Sequence, residues 1–142
     1  SPAVVFFDVA DRVHLMHLPG YGFAKTSQTE QAQWEKLLST YLDPRARPLE
    51  GVLALFDMRR EPDDLDRAMV EMLHRSGVAW QVVWTKVDKF KPSRRKNRAR
   101  QLDKLFGLAV PGLMSSSLDK LGRDEIWEWV DSRLPAPEET AR

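Results

Sequence analysis

Apolar and polar residues change rhythm along the chain, and each change marks an element. Ala3 to Val9 carries Val4, Val5, Phe6 and Phe7 in a row, which predicts a strand. Val13 to Leu18 alternates apolar with polar and predicts the second arm of a hairpin that turns within Asp8 to Arg12. Pro19-Gly20-Tyr21-Gly22 then breaks the alternation. Thr29 to Leu42 has helical spacing, with Trp34, Leu37, Leu38 and Tyr41 on one face, and Asp43 to Pro48 is a proline-punctuated loop. Gly51 to Phe56 is continuously apolar, as a strand buried on both faces of a parallel sheet is, and it ends at Asp57. Pro62 opens a helix to Ser76, with Leu65, Met69, Met72 and Leu73 inward and Gly77 as its stop. Ala79 to Trp84 is a second buried strand, followed by Thr85-Lys86-Val87-Asp88. Pro92 to Phe106 reads as a basic helix, and Val110 to Met114 as a short strand ending in Ser115-Ser116-Ser117. Arg123 to Leu134 is a last helix with Ile126, Trp127 and Val130 inward, and residues 135–142 form a loose tail.

Strands alternating with helices imply an α/β domain, a mostly parallel sheet with helices on both faces. In such sheets ligands sit at the carboxyl ends of the strands. Each unusual motif falls at such an end: Pro19-Gly20, Asp57, Thr85-Lys86-Val87-Asp88 and Ser115-Ser116-Ser117. Their shared position argues for one composite site.

Charge sharpens this picture only locally. The 142 residues carry a net charge of +1, which names no partner. From Lys89 to Lys104, however, eight basic residues (Lys89, Lys91, Arg94, Arg95, Lys96, Arg98, Arg100 and Lys104) face one acid, Asp103. Such a block suits an anionic partner, and equally a solvated helix face. The chain has no cysteine, which excludes a disulfide scaffold and a thiolate zinc site. No apolar run is long enough to span a membrane as a helix.

Taken singly, the motifs leave two readings open. Asp88 can accept two hydrogen bonds from a base with adjacent N–H groups, as guanine has, and Lys86 can lie along the base plane; the same string is also an ordinary surface turn. Gly20 would let a backbone N–H approach a phosphate, or would simply turn the chain into a helix. Ser116 and Ser117 offer groups for a base carbonyl, or make a polar loop. Gly22-Phe23-Ala24-Lys25-Thr26 imitates the end of a phosphate-binding loop, but Ala24 and Pro19 stand where that loop requires glycine. His14, His17 and His74 do not cluster, and His14 and His17 face opposite sides of a strand, so no metal site is expected on them.

In order and spacing these residues resemble the EngB (YsxC/YihA) family of ribosome-biogenesis GTPases, whose domain is a Ras-like P-loop GTPase fold. Leu18-Pro19-Gly20-Tyr21-Gly22-Phe23-Ala24-Lys25 resembles the family's D-L-P-G-Y-G-Y/F-A-K stretch, and Trp34 with Tyr41-Leu42 its W…YL helix. Asp57-Met58-Arg59, Pro62 and Leu65 resemble its D-x-R…P…D/L segment. Thr85-Lys86-Val87-Asp88 resembles its base-reading motif, and Ser116-Ser117-Leu118, Gly122 and Asp124-Glu125-Ile126-Trp127 its S-S…G-x-D-E-L-W ending. The resemblance covers residues 1–134, a partial G domain.

The resemblance implies that GTP or GDP is held by Pro19, Gly20, Thr85, Lys86, Asp88, Ser116 and Ser117, with Gly20 near the γ-phosphate. It also implies that the family's first strand and P-loop fall before Ser1. Ser1 takes the place of the switch threonine, and His17 that of the aspartate that holds magnesium through water. An imidazole is a poor ligand for a hard cation. Mg2+ is therefore expected only with an upstream P-loop, and hydrolysis is expected to be weak or lost, because phosphoryl transfer depends on this electrostatic machinery. The leading expectation is a ribosome-assembly factor that binds rRNA or ribosomal proteins of a precursor particle through Lys89, Lys91, Arg94, Arg95, Lys96, Arg98 and Arg100. An active GTPase and a scaffold that binds no nucleotide are the alternatives. No membrane role is expected. The lost carboxylate suggests an organelle, the mitochondrial matrix, with the cytoplasm as the alternative. In the Ras-like order the missing first strand lies between the strand ending at Leu18 and the strand ending at Asp57. Unpaired edges there are costly, so an upstream segment or a partner strand is expected to complete the sheet.

Overall fold

A computed structural model of the chain describes residues 49–134, the strands at 3–8 and 12–17 by their backbone, and Ala32, Glu35, Lys36, Ser39, Thr40, Leu42, Asp43 and Arg45 between them. The elements run β1 (Ala3–Asp8), β2 (Arg12–His17), β3 (Leu49–Asp57), α1 (Asp64–Ser76), β4 (Trp80–Thr85), a 3-10 turn (Val87–Lys89), α2 (Pro92–Phe106), β5 (Leu113–Met114) and α3 (Arg123–Arg133). The helix expected over 29–42 lies mostly outside the described residues. Backbone at Ala32, Glu35, Lys36, Ser39, Thr40 and Leu42 is helical.

The five strands form one sheet in the order β2-β1-β3-β4-β5. β3, β4 and β5 pair in parallel, while β1 is antiparallel to both β2 and β3. Thus β1 alone opposes the common direction, and β2, β3, β4 and β5 all end at one edge of the sheet. The place beside β3 that was expected to need a strand from outside residues 1–142 is taken by β1, with Val4 opposite Ala54 and Phe6 opposite Val52. Pairing within a hairpin needs only a short turn, so β1 can lie between β2 and β3 and give backbone partners to both.

Side chains of β3 and β4 alternate between two cores. Val52, Ala54, Phe56, Val82 and Trp84 pack against Met69, Val70 and Leu73 of α1 and Ala99 and Leu102 of α2. Leu53 and Val83 meet Val130 of α3 on the opposite face, with Leu55, Ile126 and Trp129 around them. Helices therefore cover both faces of the sheet.

Boundaries differ from expectation where local chemistry intervenes. α1 starts after Pro62, because Asp63 accepts from the Asp66 N–H at 2.8 Å and Asp66 accepts from the Asp63 N–H at 3.0 Å, a reciprocal cap. It stops at Gly77, whose φ is 75°. β5 is shorter than the expected 110–114, since Pro111 has no N–H for a ladder. Trp127 is not inward: it is 52% exposed. The helical period puts Ile126, Trp129 and Val130 on the buried stripe and turns Trp127 about 100° away from Ile126.

Candidate functional site

The carboxyl ends of β3, β4 and β5 bring three of the singled-out segments together. Asp57 lies opposite Thr85 in the ladder, and the Met58 N–H donates to the Thr85 carbonyl at 3.0 Å. The Thr85 hydroxyl donates to the Phe56 carbonyl at 3.3 Å, so the first residue of the Thr85-Lys86-Val87-Asp88 loop ties β4 to β3. Lys86 then adopts φ 63° and ψ 30°, a left-handed conformation uncommon for a side chain with a Cβ. That reversal buries Val87 completely while leaving Lys86 exposed.

β5 closes the other side. The Ser115 N–H donates to the Trp84 carbonyl at 2.8 Å, and the Val87 N–H to the Ser115 carbonyl at 3.3 Å. Ser116 is buried, and its hydroxyl donates to Asp88 Oδ1 at 2.8 Å. Its backbone N–H is taken by the Leu121 carbonyl at 3.0 Å, which closes a small loop on which Ser117 is exposed. Gly122 ends that loop at φ 81°, where a Cβ would stand 1.8 Å from the Met114 carbonyl oxygen, so only glycine fits. The Ser116 hydroxyl bond is the main cause holding the Asp88 carboxyl below its ordinary value, and burial pushes the other way. Asp88 is thus an ionised acceptor, 11% exposed, with Lys89 Nζ 3.9 Å from Oδ2. This arrangement fits a ligand edge that carries adjacent N–H donors.

No protein-family model matches the chain. Among curated proteins it is 38% identical over 137 residues to the probable GTP-binding protein EngB of Geobacter metallireducens, covering 96% of this chain and 67% of that one. It is 37% identical over 129 residues to the protein of that name from Ligilactobacillus salivarius, covering 89% and 65%. With its namesake in Myxococcus xanthus it shares 40% over 130 residues, covering 86% and 63%. The chain belongs to the EngB family. It spans about two thirds of the length of these relatives. A crystal structure of a probable GTP-binding protein engB superposes with a TM-score of 0.67 at 12% identity, covering 91% of this chain and 80% of that one. That likeness shows the fold, the Ras-like α/β sheet of the EngB family.

Several residues expected in the site of an EngB protein fall outside the described residues: Pro19, Gly20 and Ser1 entirely, and His17 in its side chain. The backbone of β2 nevertheless ends with His17 at the same sheet edge as Asp57 and Thr85. Among the described residues no cluster of three or more His, Asp or Glu could hold a metal ion. No helix among them is long and apolar enough to cross a membrane.

The basic helix divides into two sets. Lys89, Lys91, Arg94, Lys96 and Arg100 are exposed. Arg95 and Arg98 turn inward. Arg95 donates to the Phe90 carbonyl at 3.0 Å and lies 3.9 Å from Asp119. Arg98, 12% exposed, donates to the carbonyls of Met58 at 2.9 Å and Arg60 at 3.1 Å, and to Glu61 and Gln101 at 2.9 Å each. It is a staple between α2 and the segment after β3, because it lies beside the inward-facing Ala99 and Leu102.

Arg59 received no role from the sequence. Its guanidinium grips Asp57 through Nε at 3.1 Å and Nη2 at 2.7 Å, and its own N–H donates to Asp57 Oδ1 at 2.9 Å. This pair holds the Asp57 carboxyl below its ordinary value, against the opposing effect of burial. The readable signal was an Asp two residues before an Arg at a strand's carboxyl end.

Proposed function

We propose that this chain is the base-reading and partner-facing part of an EngB-type GTP-binding protein that acts on an assembling ribosomal particle. One observation carries the nucleotide reading: the ionised carboxylate of Asp88, aimed by the Ser116 hydroxyl, which also holds its carboxyl low, where β4 and β5 end. An acceptor of that charge suits the N1–H and 2-amino donors of guanine and opposes adenine, which has no such pair. Thr85 and Lys86 shape the loop, Ser117 lies beside it, and Gly20 approaches the γ-phosphate from the end of β2. Hydrolysis is weak, because His17 replaces the carboxylate that would hold magnesium through water; Mg2+ joins only with a P-loop upstream of Ser1. The exposed Lys89, Lys91, Arg94, Lys96 and Arg100 supply phosphate contacts to rRNA or an acidic ribosomal-protein surface. A strand from an upstream segment or a partner would have to displace β1 from β3 to enter the sheet. The bacterial relatives favour the cytoplasm over the mitochondrial matrix.

Calorimetry of the full-length protein with GTP, GDP and ATP tests this reading. Guanine nucleotides are expected to bind and ATP not to, and Asp88→Ala should abolish the preference. Equal binding of GTP and ATP sinks the reading. His17→Asp should raise magnesium-dependent turnover, and brisk hydrolysis by the native protein refutes the weak-hydrolysis claim. Neutralising Lys91, Arg94, Lys96 and Arg100 together should weaken co-sedimentation with ribosomal particles and flatten its salt dependence. Unchanged co-sedimentation would leave a merely solvated face.

A further inference from the structure

The Asp57–Arg59 pair has no part in reading a base, yet it is built with care at the same sheet edge. Asp57 holds Arg59 by three of its donors, the backbone N–H, Nε and Nη2. Arg98 holds the residues on either side by taking the carbonyls of Met58 and Arg60. The Met58 side chain is fully buried, which fixes the chain direction at that point. Arg59 is therefore pinned at its root while its side chain remains 51% exposed. Its Nη1 has no hydrogen bond among the described residues.

Topology says what lies in front of it. Along the edge where the strands end, the order runs from β2 past β3 to β4 and β5. The base acceptor Asp88 belongs to the β4–β5 end, joined to Ser116. β2, whose end the proposed reading sets nearest the far phosphate, stops at His17 at the other end. A nucleotide with its base at one end and its terminal phosphate at the other must cross the end of β3, where Arg59 stands. A guanidinium held flat by a carboxylate loses little freedom on meeting an anion, and its remaining N–H groups point away from the carboxylate.

We infer that Arg59 contacts the phosphate chain of a guanine nucleotide, presented for it by Asp57 and by the Arg98 staple. This rests on the nucleotide reading above. Arg59 is the contacting group, and Arg98 is a positioning residue that acts through it.

The experiment measures GDP and guanosine binding by competition in the full-length protein. Arg59→Ala should weaken GDP about tenfold, the size of one charge-assisted hydrogen bond, and leave guanosine binding unchanged, while the melting temperature falls because Asp57 loses its partner. GDP binding should also lose part of its salt dependence, and Arg59→Lys should recover part of the affinity. Arg98→Ala should weaken GDP as much, and adding Arg59→Ala to it should cost nothing more. Equal losses for GDP and guanosine would make Arg59 a loop support and overturn the assignment. So would unchanged GDP affinity in Arg59→Ala. If Asp88→Ala loses GDP while Arg59→Ala keeps it, the nucleotide reading survives and this inference falls. If the native protein binds neither ligand, both fall.

Discussion

Asp57 and Asp88 end neighbouring parallel strands at the same edge of the sheet, and both carboxyls are held below their ordinary values. Their partners differ in kind. Asp57 faces a guanidinium that takes both of its oxygens, together with a backbone N–H. Asp88 has one oxygen on a neutral hydroxyl and the other 3.9 Å from an exposed lysine, beyond hydrogen-bond reach. The first carboxylate is closed and neutralised, so it anchors a loop. The second keeps its charge and an open acceptor, so it can read a ligand. Residue type and position on the strand do not separate the two; the donors around them do.

The largest expected effect separates the two aspartates directly. Asp88→Asn replaces an acceptor for two donors with a group that presents a donor of its own. Two charge-assisted bonds of about 1.5 kcal/mol each correspond to roughly a hundredfold loss of guanine-nucleotide affinity. Asp57→Asn should lower stability while leaving guanine preferred over adenine. Calorimetry with GDP and ADP on both variants checks this, and equal loss of preference in the two would dissolve the distinction.

How much of this was legible in the sequence follows the range of the interactions. The buried strands, α2 and the Gly77 stop were readable because apolar runs, Pro92 and glycine act locally. Both aspartates were readable as strand ends. The sheet position of β1 was not, since a hairpin arm pairs equally well with either neighbour and only the whole sheet decides. Arg98 was read with the exposed cations because charge patterning cannot tell a solvated guanidinium from one that donates to carbonyls some 40 residues away in sequence. Trp127 was read as inward because a helix with four tryptophan or aliphatic candidates in five positions, from Ile126 to Val130, has an ambiguous stripe. The Ser116–Asp88 bond joins segments 28 residues apart and was visible only as two separate motifs.

The second prediction concerns the scaffold behind Asp88. Gly122→Ala forces a Cβ to within 1.8 Å of the Met114 carbonyl oxygen at a φ of 81°. Gly77→Ala has a similar φ of 75° with nothing within 4 Å of the new atom. The first should cost about 2 kcal/mol or more and the second about 1 kcal/mol. Only the first should weaken guanine binding, because it displaces the loop that carries Ser116. Urea unfolding and GDP binding of the pair test this, and equal costs would show that the clash relaxes without moving β5.

Acid sharpens the comparison further. A carboxyl held low when folded contributes fully above its unfolded value and loses that contribution as the pH falls through the lower, folded one. The Asp57–Arg59 pair should therefore hold from neutrality down to the ordinary aspartate range and weaken below it. Asp57→Asn should lower the neutral plateau of stability and flatten the acid limb. Unfolding midpoints between about pH 7 and pH 2.5 measure both changes. An acid limb of the same depth in Asp57→Asn would assign it to other carboxylates.

The smallest effect is the most specific. Ser116→Ala removes the hydroxyl that Asp88 Oδ1 accepts from and leaves the Ser116 backbone bond to Leu121 intact. The carboxyl of Asp88 should then titrate higher, toward the ordinary aspartate value, because its main stabilising donor is gone while burial still opposes the charge. A carboxylate left ionised at neutral pH still accepts from guanine, so binding should persist. It should weaken only about fivefold, the loss of roughly one neutral hydrogen bond that aimed the acceptor. Carbon-13 titration of the Asp88 carboxyl follows the first change and calorimetry the second. The Asp57 titration in the same sample is the internal reference, since Arg59 and not Ser116 holds it down. If Asp57 rises with Asp88, the two carboxylates are one coupled cluster rather than an anchor beside a reader. If neither rises, the hydroxyl at 2.8 Å is not what holds the Asp88 carboxyl low.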